Sequence, residues 1–246
     1  ILHIYYLAAP DFLDLPSVMP LIETDKELVL RAMRLKELAY DICKETVGRH
    51  THPVAMKVGG FSMVHQEESL LALRERLQAA RDDMEATVEL FKGLRMPEFE
   101  RETEYVSLTH PNTYPFYDGQ VSSSVGGTIP ADQYREAIEE YVVPYSTAKH
   151  ARWDGPHYMV GALARVNNNY EQLRPFGKWA VQSLGMPVPC HNPFMITVAQ
   201  IVECAHCIED AITIIDKLVD EGIDPDAEMT EVAPRAATGV SAVEAP

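Results

Sequence analysis

The sequence predicts a mainly α-helical protein, a bundle of long helices that carries a small antiparallel β insert. Apolar residues recur in alternating steps of three and four over three long stretches of the chain, as they do along the buried face of a helix. Between residues 103 and 129 the pattern changes to alternating polar and apolar residues with turn signals, which is typical of β-strands. These observations define the fold class.

The first long helix is predicted over residues 24–47. Thr24 and Glu27 have the spacing of a capping box, in which each side chain satisfies a free backbone amide at the start of a helix. The expected buried stripe consists of Leu28, Ala32, Leu35, Ala39, Ile42 and Thr46. We expect Gly48 to end the helix, because glycine readily adopts the left-handed conformation that follows a helical C terminus.

Two further long helices follow from the same periodicity. The second covers residues 66–94, with Leu70, Leu73, Leu77, Ala80, Met84, Val88 and Phe91 on its stripe. The longest covers residues 193–221, with Phe194, Val198, Ile201, Ala205, Ile208, Ile212, Ile215 and Val219 on its stripe. Gly222 ends it, and the proline-, alanine- and acid-rich residues beyond predict a loop.

The shorter elements lie between these helices. In the insert, residues 104–108 alternate in polarity and Asp118-Gly119 is a hairpin signal. Pro130 favours a helix from there to about Val142, because proline is well suited to a first helical position. Residues 157–166 predict a buried strand, and residues 169–184 predict a helix.

Composition limits the classes of partner. The formal net charge of −16 disfavours nucleic acid and anionic membrane surfaces, which would be repelled. No run approaches the roughly 18 apolar residues that a membrane span needs. The four cysteines are too few for a disulfide scaffold and fit a reducing cytoplasm, so we expect a cytoplasmic location.

Cysteine and histidine residues are the first candidates for chemistry. Cys204, His206 and Cys207, with Cys190 and His191 upstream, could form a tetrahedral zinc site. The cysteine pair lies within the predicted long helix, where buried cysteine usually packs as a small hydrophobe, so core packing is favoured over a zinc site or a redox pair. Residue chemistry alone therefore predicts only a helical cytoplasmic domain.

Five stretches, taken in order, carry a family resemblance. They are residues 7–12 (LAAPDF), 52–60 (HPVAMKVGG), 160–167 (VGALARVN, with Ala162 at the usual proline), 192–194 (NPF) and 239–246 (GVSAVEAP). In this order they resemble the large, catalytic subunit of [NiFe] hydrogenases, most closely the cytoplasmic bidirectional NAD(P)-linked group. We therefore expect residues 1–246 to be the central part of a single large-subunit domain, with residues 103–129 as its β insert.

The resemblance implies an oxidoreductase that splits H₂ reversibly at a nickel–iron centre with cyanide and carbon monoxide ligands. It also implies an electron-accepting iron–sulfur small subunit, with NAD(P)-reducing diaphorase subunits as further partners. The family's metal-binding thiolates, which suit these soft metals, come from cysteine motifs near the two ends of the large polypeptide. The chain's cysteines do not match those motifs, so we expect no metal ligand or catalytic residue here and no activity of this portion alone.

Three residues correspond to positions outside the ligand set. Ala245 and Pro246 match backbone positions that line the cyanide pocket, where outer groups tune a metal's electronics. His52 matches a histidine near the proximal iron–sulfur cluster at the subunit interface, where a hydrogen bond would raise the cluster potential. A turn-stabilising role for His52 and a simple terminal loop at residues 245–246 are the structural alternatives.

Two other functions remain open. The quinone-site subunit of respiratory complex I is related to this family but lacks the nickel cysteines. It typically has Arg-Pro-Gly-Gly where this chain has Lys57-Val58-Gly59-Gly60, which disfavours it. A non-catalytic scaffold subunit of a larger assembly is the third hypothesis.

Overall fold

The computed structural model describes residues 1–153, 155, 157–224, 226 and 229–245. A π-helix covers His3–Ala8. The α-helices are α1 (Ala9–Phe12), α2 (Met19–Thr24), α3 (Lys26–Val47), α4 (Glu67–Lys92), α5 (Tyr134–Ala137), α6 (Ala162–Asn169), α7 (Pro175–Ser183) and α8 (Ile196–Glu221). The strands are β1 (Met56–Lys57), β2 (Gly60–Phe61), β3 (Glu104–Thr109), β4 (Gln120–Ser123), β5 (Gly127–Ile129), β6 (Glu139–Tyr141), β7 (His150–Arg152) and β8 (Tyr158–Met159). The predicted fold class, mainly α with small sheets, is confirmed.

Contacts within the chain divide it into two compact units. The first consists of Ile1–Leu94 and Cys204–Ala236, and the second of Arg95–Glu203 with the residues from Ala237 onward. The expectation that residues 1–246 form part of a single domain stays a prediction.

The first unit is built on α3 and α4. All seven stripe residues predicted for α4 are buried, which confirms its phase. In α3, Leu28, Ala32 and Leu35 are buried as predicted, but Leu38 is buried in place of the exposed Ala39. The stripe of α3 therefore takes in Leu38, whose larger apolar surface gains more from burial than that of Ala39.

The predicted capping box at Thr24 and Glu27 is wrong. Asp25 is the N-cap residue of α3, and its carboxylate accepts a hydrogen bond from the Leu28 amide at 3.1 Å. Thr24 belongs to α2, where its hydroxyl donates to the carbonyl of Pro20. Aspartate is at least as good a cap as threonine, and the break between the two helices falls at this position.

The second unit contains a four-stranded sheet in the order β5-β4-β3-β8. The pairs β3–β4 and β4–β5 are antiparallel, as predicted for the insert, while β8 adds to β3 in parallel. Val106, Leu108, Val121 and Trp153 form an apolar cluster in this unit. The insert is therefore part of a mixed sheet that also takes in a later strand.

The predicted helix over residues 130–142 is wrong for most of its length. Only a 3-10 turn and the four-residue α5 form, and Ile138 is already extended. Residues 139–141 instead make β6, which pairs with β7. Tyr141 and the two valines after it favour the extended conformation, and the pairing satisfies the backbone that the helix would have satisfied.

The predicted strand over residues 157–166 is also mostly wrong. It ends after β8, because Gly161 at φ 82° turns the backbone and α6 begins at Ala162. Alanine, leucine and arginine at the start of α6 have high helix propensity, and this outweighs the short apolar run. The helix predicted at 169–184 shortens to α7, since Pro175 occupies its first position and Arg174 is extended.

Helix α6 carries polar side chains that connect it to several segments of the second unit. The hydrogen bonds run from Arg165 to α8, from Asn167 to the backbone of Cys190, and from Asn168 and Asn169 to β3. The stretch 160–167, one of the five that carry the family resemblance, thus helps to connect several segments of this unit.

Candidate functional site

Residue His52 lies in the loop after α3, which ends at Gly48 with φ 86° as predicted. The side chain of His52 is exposed, and its backbone has φ 56°, an unusual conformation for a residue other than glycine. Its carbonyl accepts a hydrogen bond of 2.6 Å from the Nε of Arg49. Histidine adopts this left-handed conformation more readily than most residues, so the backbone fits the turn-stabilising alternative as well as the predicted interface role.

The neighbouring His50 has a different environment. Its ring stacks on Tyr40 with ring centroids 4.4 Å apart, and its Nδ1 lies 2.9 Å from the hydroxyl of Thr51. Both histidines are exposed, but their settings differ. His50 packs against α3, whereas His52 presents its ring to solvent.

In the glycine pair after this loop, Gly59 lies with Val58 in the turn between β1 and β2, and Gly60 begins β2. Gly59 has φ 97°, and its carbonyl accepts a hydrogen bond of 2.9 Å from the amide of Thr230. A Cβ at Gly59 would lie 2.1 Å from the carbonyl oxygen of Thr230, so no side chain fits. The glycine at this position therefore allows two backbone segments to meet.

Residues 239–245 run along the second unit without regular secondary structure. This terminal segment lines a groove of about 910 Å³ together with residues of β3, β4 and α5. Glu244 anchors the segment: its amide donates to the carbonyl of Phe116 at 2.7 Å, and its carboxylate accepts from the amide of Leu108 at 2.5 Å. Pro246, the second residue predicted to line the cyanide pocket, lies outside the described residues.

Arg165 binds this segment from α6. Its Nη1 donates to the carboxylate of Glu244 at 3.1 Å and to the carbonyl of Ala245 at 2.9 Å. Its Nε and Nη2 donate to the two carboxylate oxygens of Glu203 on α8, at 2.6 and 2.9 Å. Four of the five guanidinium N–H groups are thus used. We call Arg165, Glu203 and Glu244 the arginine clamp.

The arginine clamp is buried. The side chain of Arg165 is 3% exposed, and those of Glu203 and Glu244 are each 10% exposed. Tyr114 donates its hydroxyl hydrogen to Glu203 at 2.8 Å, and the guanidinium of Arg165 lies 5.7 Å from the centre of the Phe116 ring. Fully bonded charges are what a low-dielectric interior tolerates.

Burial alone would lower the pKa of Arg165, because it disfavours the charged guanidinium. The hydrogen bonds and negative charge of Glu203, followed by those of Glu244, outweigh burial and raise the pKa of Arg165 overall. Arg165 therefore stays protonated at any pH at which the protein is folded.

The cysteines do not gather into a site within the described parts of the chain. Cys190 is buried, Cys43 and Cys204 are partly buried, and Cys207 is exposed. Burial raises the pKa of the Cys190 thiol, and its backbone is bonded on both sides by the amide of Asn167. No group of three or more His, Cys, Asp or Glu residues among the described residues could hold a metal ion.

The sequence motif at residues 160–167 contains Arg165, but the sequence did not predict its partners Glu203, Glu244 and Tyr114. A signal was present, because Arg165 and Glu203 each interrupt an apolar run of a helix. A charge on the buried face of a helix requires a partner of opposite charge. The sequence did not show that the partner on one side would be Glu244, one residue before a predicted site residue.

Comparison with known proteins identifies the chain's relatives. No family model matches the sequence. The chain is 30% identical over 247 residues to the alpha subunit of sulfhydrogenase 1 from Pyrococcus furiosus, a match that covers all of this chain and 57% of the relative. It is 28% identical over 277 residues to a subunit of the F420-non-reducing hydrogenase vhu from Methanocaldococcus jannaschii, covering all of this chain and 64% of the relative.

Solved structures give the same fold. An NAD+-reducing [NiFe]-hydrogenase in its H₂-reduced state superposes with a TM-score of 0.74 at 22% identity, over 96% of this chain and 58% of that chain. The Ni-Fe-Se hydrogenase of D. vulgaris Hildenborough superposes with a TM-score of 0.56 at 18% identity, over 85% of this chain and 53% of that chain.

The fold is that of a hydrogenase large subunit. The chain is a homologue of the large subunits of [NiFe] hydrogenases, and the resemblance seen in the sequence is confirmed. These relatives are subunits of oxidoreductases that act on H₂. The chain spans roughly half to two thirds of the length of the relatives and structures named above.

Proposed function

We propose that this chain is the central part of a single large-subunit domain in a [NiFe] hydrogenase that oxidises H₂ reversibly. The observation that carries the proposal is the match to the alpha subunit of sulfhydrogenase 1, which extends over the whole of this chain. The hydrogenase folds of the superposed structures support it independently of sequence identity.

The homologues imply a nickel–iron centre in the full-length subunit. When bound, that centre supplies heterolytic cleavage of H₂, and we propose that it carries cyanide and carbon monoxide ligands. The described residues do not fit as its ligands, since they contain no group able to hold a metal. We therefore assign the ligating thiolates to cysteines outside this chain. To this chain we assign the backbone at Ala245 and Pro246, which would line the pocket of the cyanide ligands.

We assign His52 to the path by which electrons leave for an iron–sulfur small subunit. The exposure of its ring supports this role. The NAD+-reducing enzyme among the structural relatives supports NAD(P)-reducing diaphorase subunits as further partners. We propose that such an assembly works in the cytoplasm. Among the described residues, no helix is long and apolar enough to span a membrane.

The proposed activity is tested on the complete subunit, purified together with its partner subunits. We expect nickel in a one-to-one ratio to the large subunit, and we expect H₂-dependent reduction of an artificial electron-accepting dye. A pure complex without nickel and without dye reduction would show that the activity is absent.

The role of His52 is tested in the same complex with His52→Ala and His52→Asn. Both remove the imidazole, but asparagine tolerates positive φ and so preserves the backbone. We expect dye reduction to fall by roughly tenfold in both, the low end for groups around metal centres, while H/D isotope exchange stays normal. Normal dye reduction in His52→Asn would show that only the backbone conformation matters and would contradict electron transfer through His52.

A further inference from the structure

The terminal segment, residues 239–245, has little of its own to hold it in place. Within the described residues it forms no helix or strand, and five of its seven residues are exposed. Ala242 packs against the apolar cluster of the sheet, and Glu244 and Ala245 make the hydrogen bonds described above. Such a segment loses conformational entropy when it is ordered, so its few anchors must offset that cost.

We infer that Arg165 is the positioning residue for the terminal segment: held by Glu203 on one side, it fixes Glu244 and the carbonyl of Ala245 on the other. Its link to a metal pocket rests on the proposed function, but the ordering of the segment does not. The positioning role of Arg165 does not depend on which residues ligate the metal or on the function of His52.

Geometry explains why an arginine occupies the position. The N–H donors of a guanidinium point in fixed directions within one plane. Arg165 can therefore bind Glu203 bidentately and still donate to two acceptors of the terminal segment. A lysine has a single charged nitrogen and cannot bridge both groups in the same way. Tyr114 and the ring of Phe116 restrict the movement of the clamp further.

The hydrogen bonds also form a closed circuit. Arg165 donates to the carboxylate of Glu244, and that carboxylate accepts from the amide of Leu108. The carbonyl of Leu108 accepts from the side chain of Asn169. Asn169 also donates to the carbonyl of Arg165 at 3.1 Å, which returns the chain of bonds to its starting residue. Both backbone groups of Leu108 are thus committed to α6 or to the terminal segment. Movement of Glu244 would therefore disturb β3 as well.

The test measures amide hydrogen exchange in the complete subunit within its assembly. In Arg165→Lys we expect the amide of Glu244, which donates to the carbonyl of Phe116, to exchange at least about tenfold faster than in the wild type, because the bonds that hold the Glu244 carboxylate and the Ala245 carbonyl to a charged group are lost. Arg152→Lys is the matched control, since Arg152 forms an exposed ion pair with Glu139 in the same unit. It should leave exchange of the terminal segment unchanged.

Two outcomes would overturn the inference. One is unchanged exchange of the terminal segment in Arg165→Lys. The other is equal acceleration of amide exchange in α4, which would show general destabilisation.

Because Arg165 variants could fail to fold, Glu244→Gln is measured in parallel. Its amide oxygen still accepts from Leu108 but its NH₂ cannot accept from Arg165, so we again expect faster exchange confined to the segment, and unchanged exchange would count equally against the inference.

The link to the metal pocket has its own readout, the infrared stretching bands of the cyanide and carbon monoxide ligands. We expect the bands to shift or broaden in Arg165→Lys and to match the wild type in Arg152→Lys. If the infrared bands were unchanged while the terminal segment exchanged faster, Arg165 would order the segment but would not affect the metal pocket. Absence of nickel and of bands in the wild type would defeat the proposed function and leave the exchange result standing.

Discussion

At the scale of single residues, Gly59 shows how one atom decides a local structure. The positive φ alone would strain any other residue by about 1–3 kcal/mol, and the position also faces the carbonyl oxygen of Thr230 at a distance that excludes a Cβ. The two effects can be separated, because Gly222 has φ 81° but no neighbouring atom within 4 Å of the place that a Cβ would occupy.

We expect Gly59→Ala to lower the free energy of unfolding by more than Gly222→Ala does. The second variant should cost about 1 kcal/mol, the strain of the left-handed conformation alone, and the first at least about twice that. Urea titrations of both variants measure the difference. Equal costs would mean that the backbone moves away from Thr230 without penalty.

Cysteine reactivity is a second prediction at this scale. The buried Cys190 has a raised thiol pKa, so it forms little of the reactive thiolate at pH 8. Exposed Cys207 should be alkylated by iodoacetamide in the native protein at least about tenfold faster than Cys190. Mass spectrometry of labelled peptides gives both rates, and comparable labelling would show that the loop around Cys190 opens readily.

Single residues were also where the sequence was least informative about the site. His52 could be named from a motif, but its strained backbone could not be foreseen, because φ depends on how the loop closes. The arginine clamp joins residues 38 and 79 positions apart in the chain. Such contacts are set by tertiary packing, which local pattern does not encode.

At the scale of elements, α3 and α4 are joined both by apolar stripes and by surface ion pairs. Arg34 on α3 binds both carboxylate oxygens of Asp83 on α4, at 2.6 and 2.8 Å, but its side chain is about half exposed. Solvent screens such a pair, whereas Leu77 on the stripe of α4 is almost completely buried. The stripe should therefore dominate the stability of this pair of helices.

We expect Leu77→Ala to lower the free energy of unfolding by about 2–5 kcal/mol, the usual cost of emptying a buried leucine site. Asp83→Asn should lower it by no more than about 1 kcal/mol. Urea titration followed by circular dichroism compares the two. A larger effect of Asp83→Asn would assign the pairing of these helices to electrostatics.

The elements that the sequence predicted well are those with long periodic stripes. The ends of α4 and α8 were predicted to within a few residues, because many apolar positions in each helix share the same period. Residues 130–142 and 157–166 offered only short signals, and there strand pairing or a single glycine decided the outcome. Short elements depend on partners that are distant in the sequence.

At the scale of the whole molecule, the described residues superpose on hydrogenase structures but contain no group of three or more His, Cys, Asp or Glu residues that could hold a metal ion. We therefore expect the 246-residue polypeptide, expressed alone and incubated with nickel, to retain none after gel filtration. Elemental analysis of the protein peak measures it. Stoichiometric nickel would show that the ligands lie within this chain, and the assignment of outside cysteines would fail.

Helix α6 shows how tightly a short element can constrain its own sequence. An α-helix turns by about 100° for each residue, so one inserted residue before Arg165 would rotate the arginine and the three asparagines together. Each would then point away from its acceptor on α8, on β3 or beside Cys190. A substitution in this stretch changes the contacts of one residue, whereas an insertion or deletion displaces all four side chains at once.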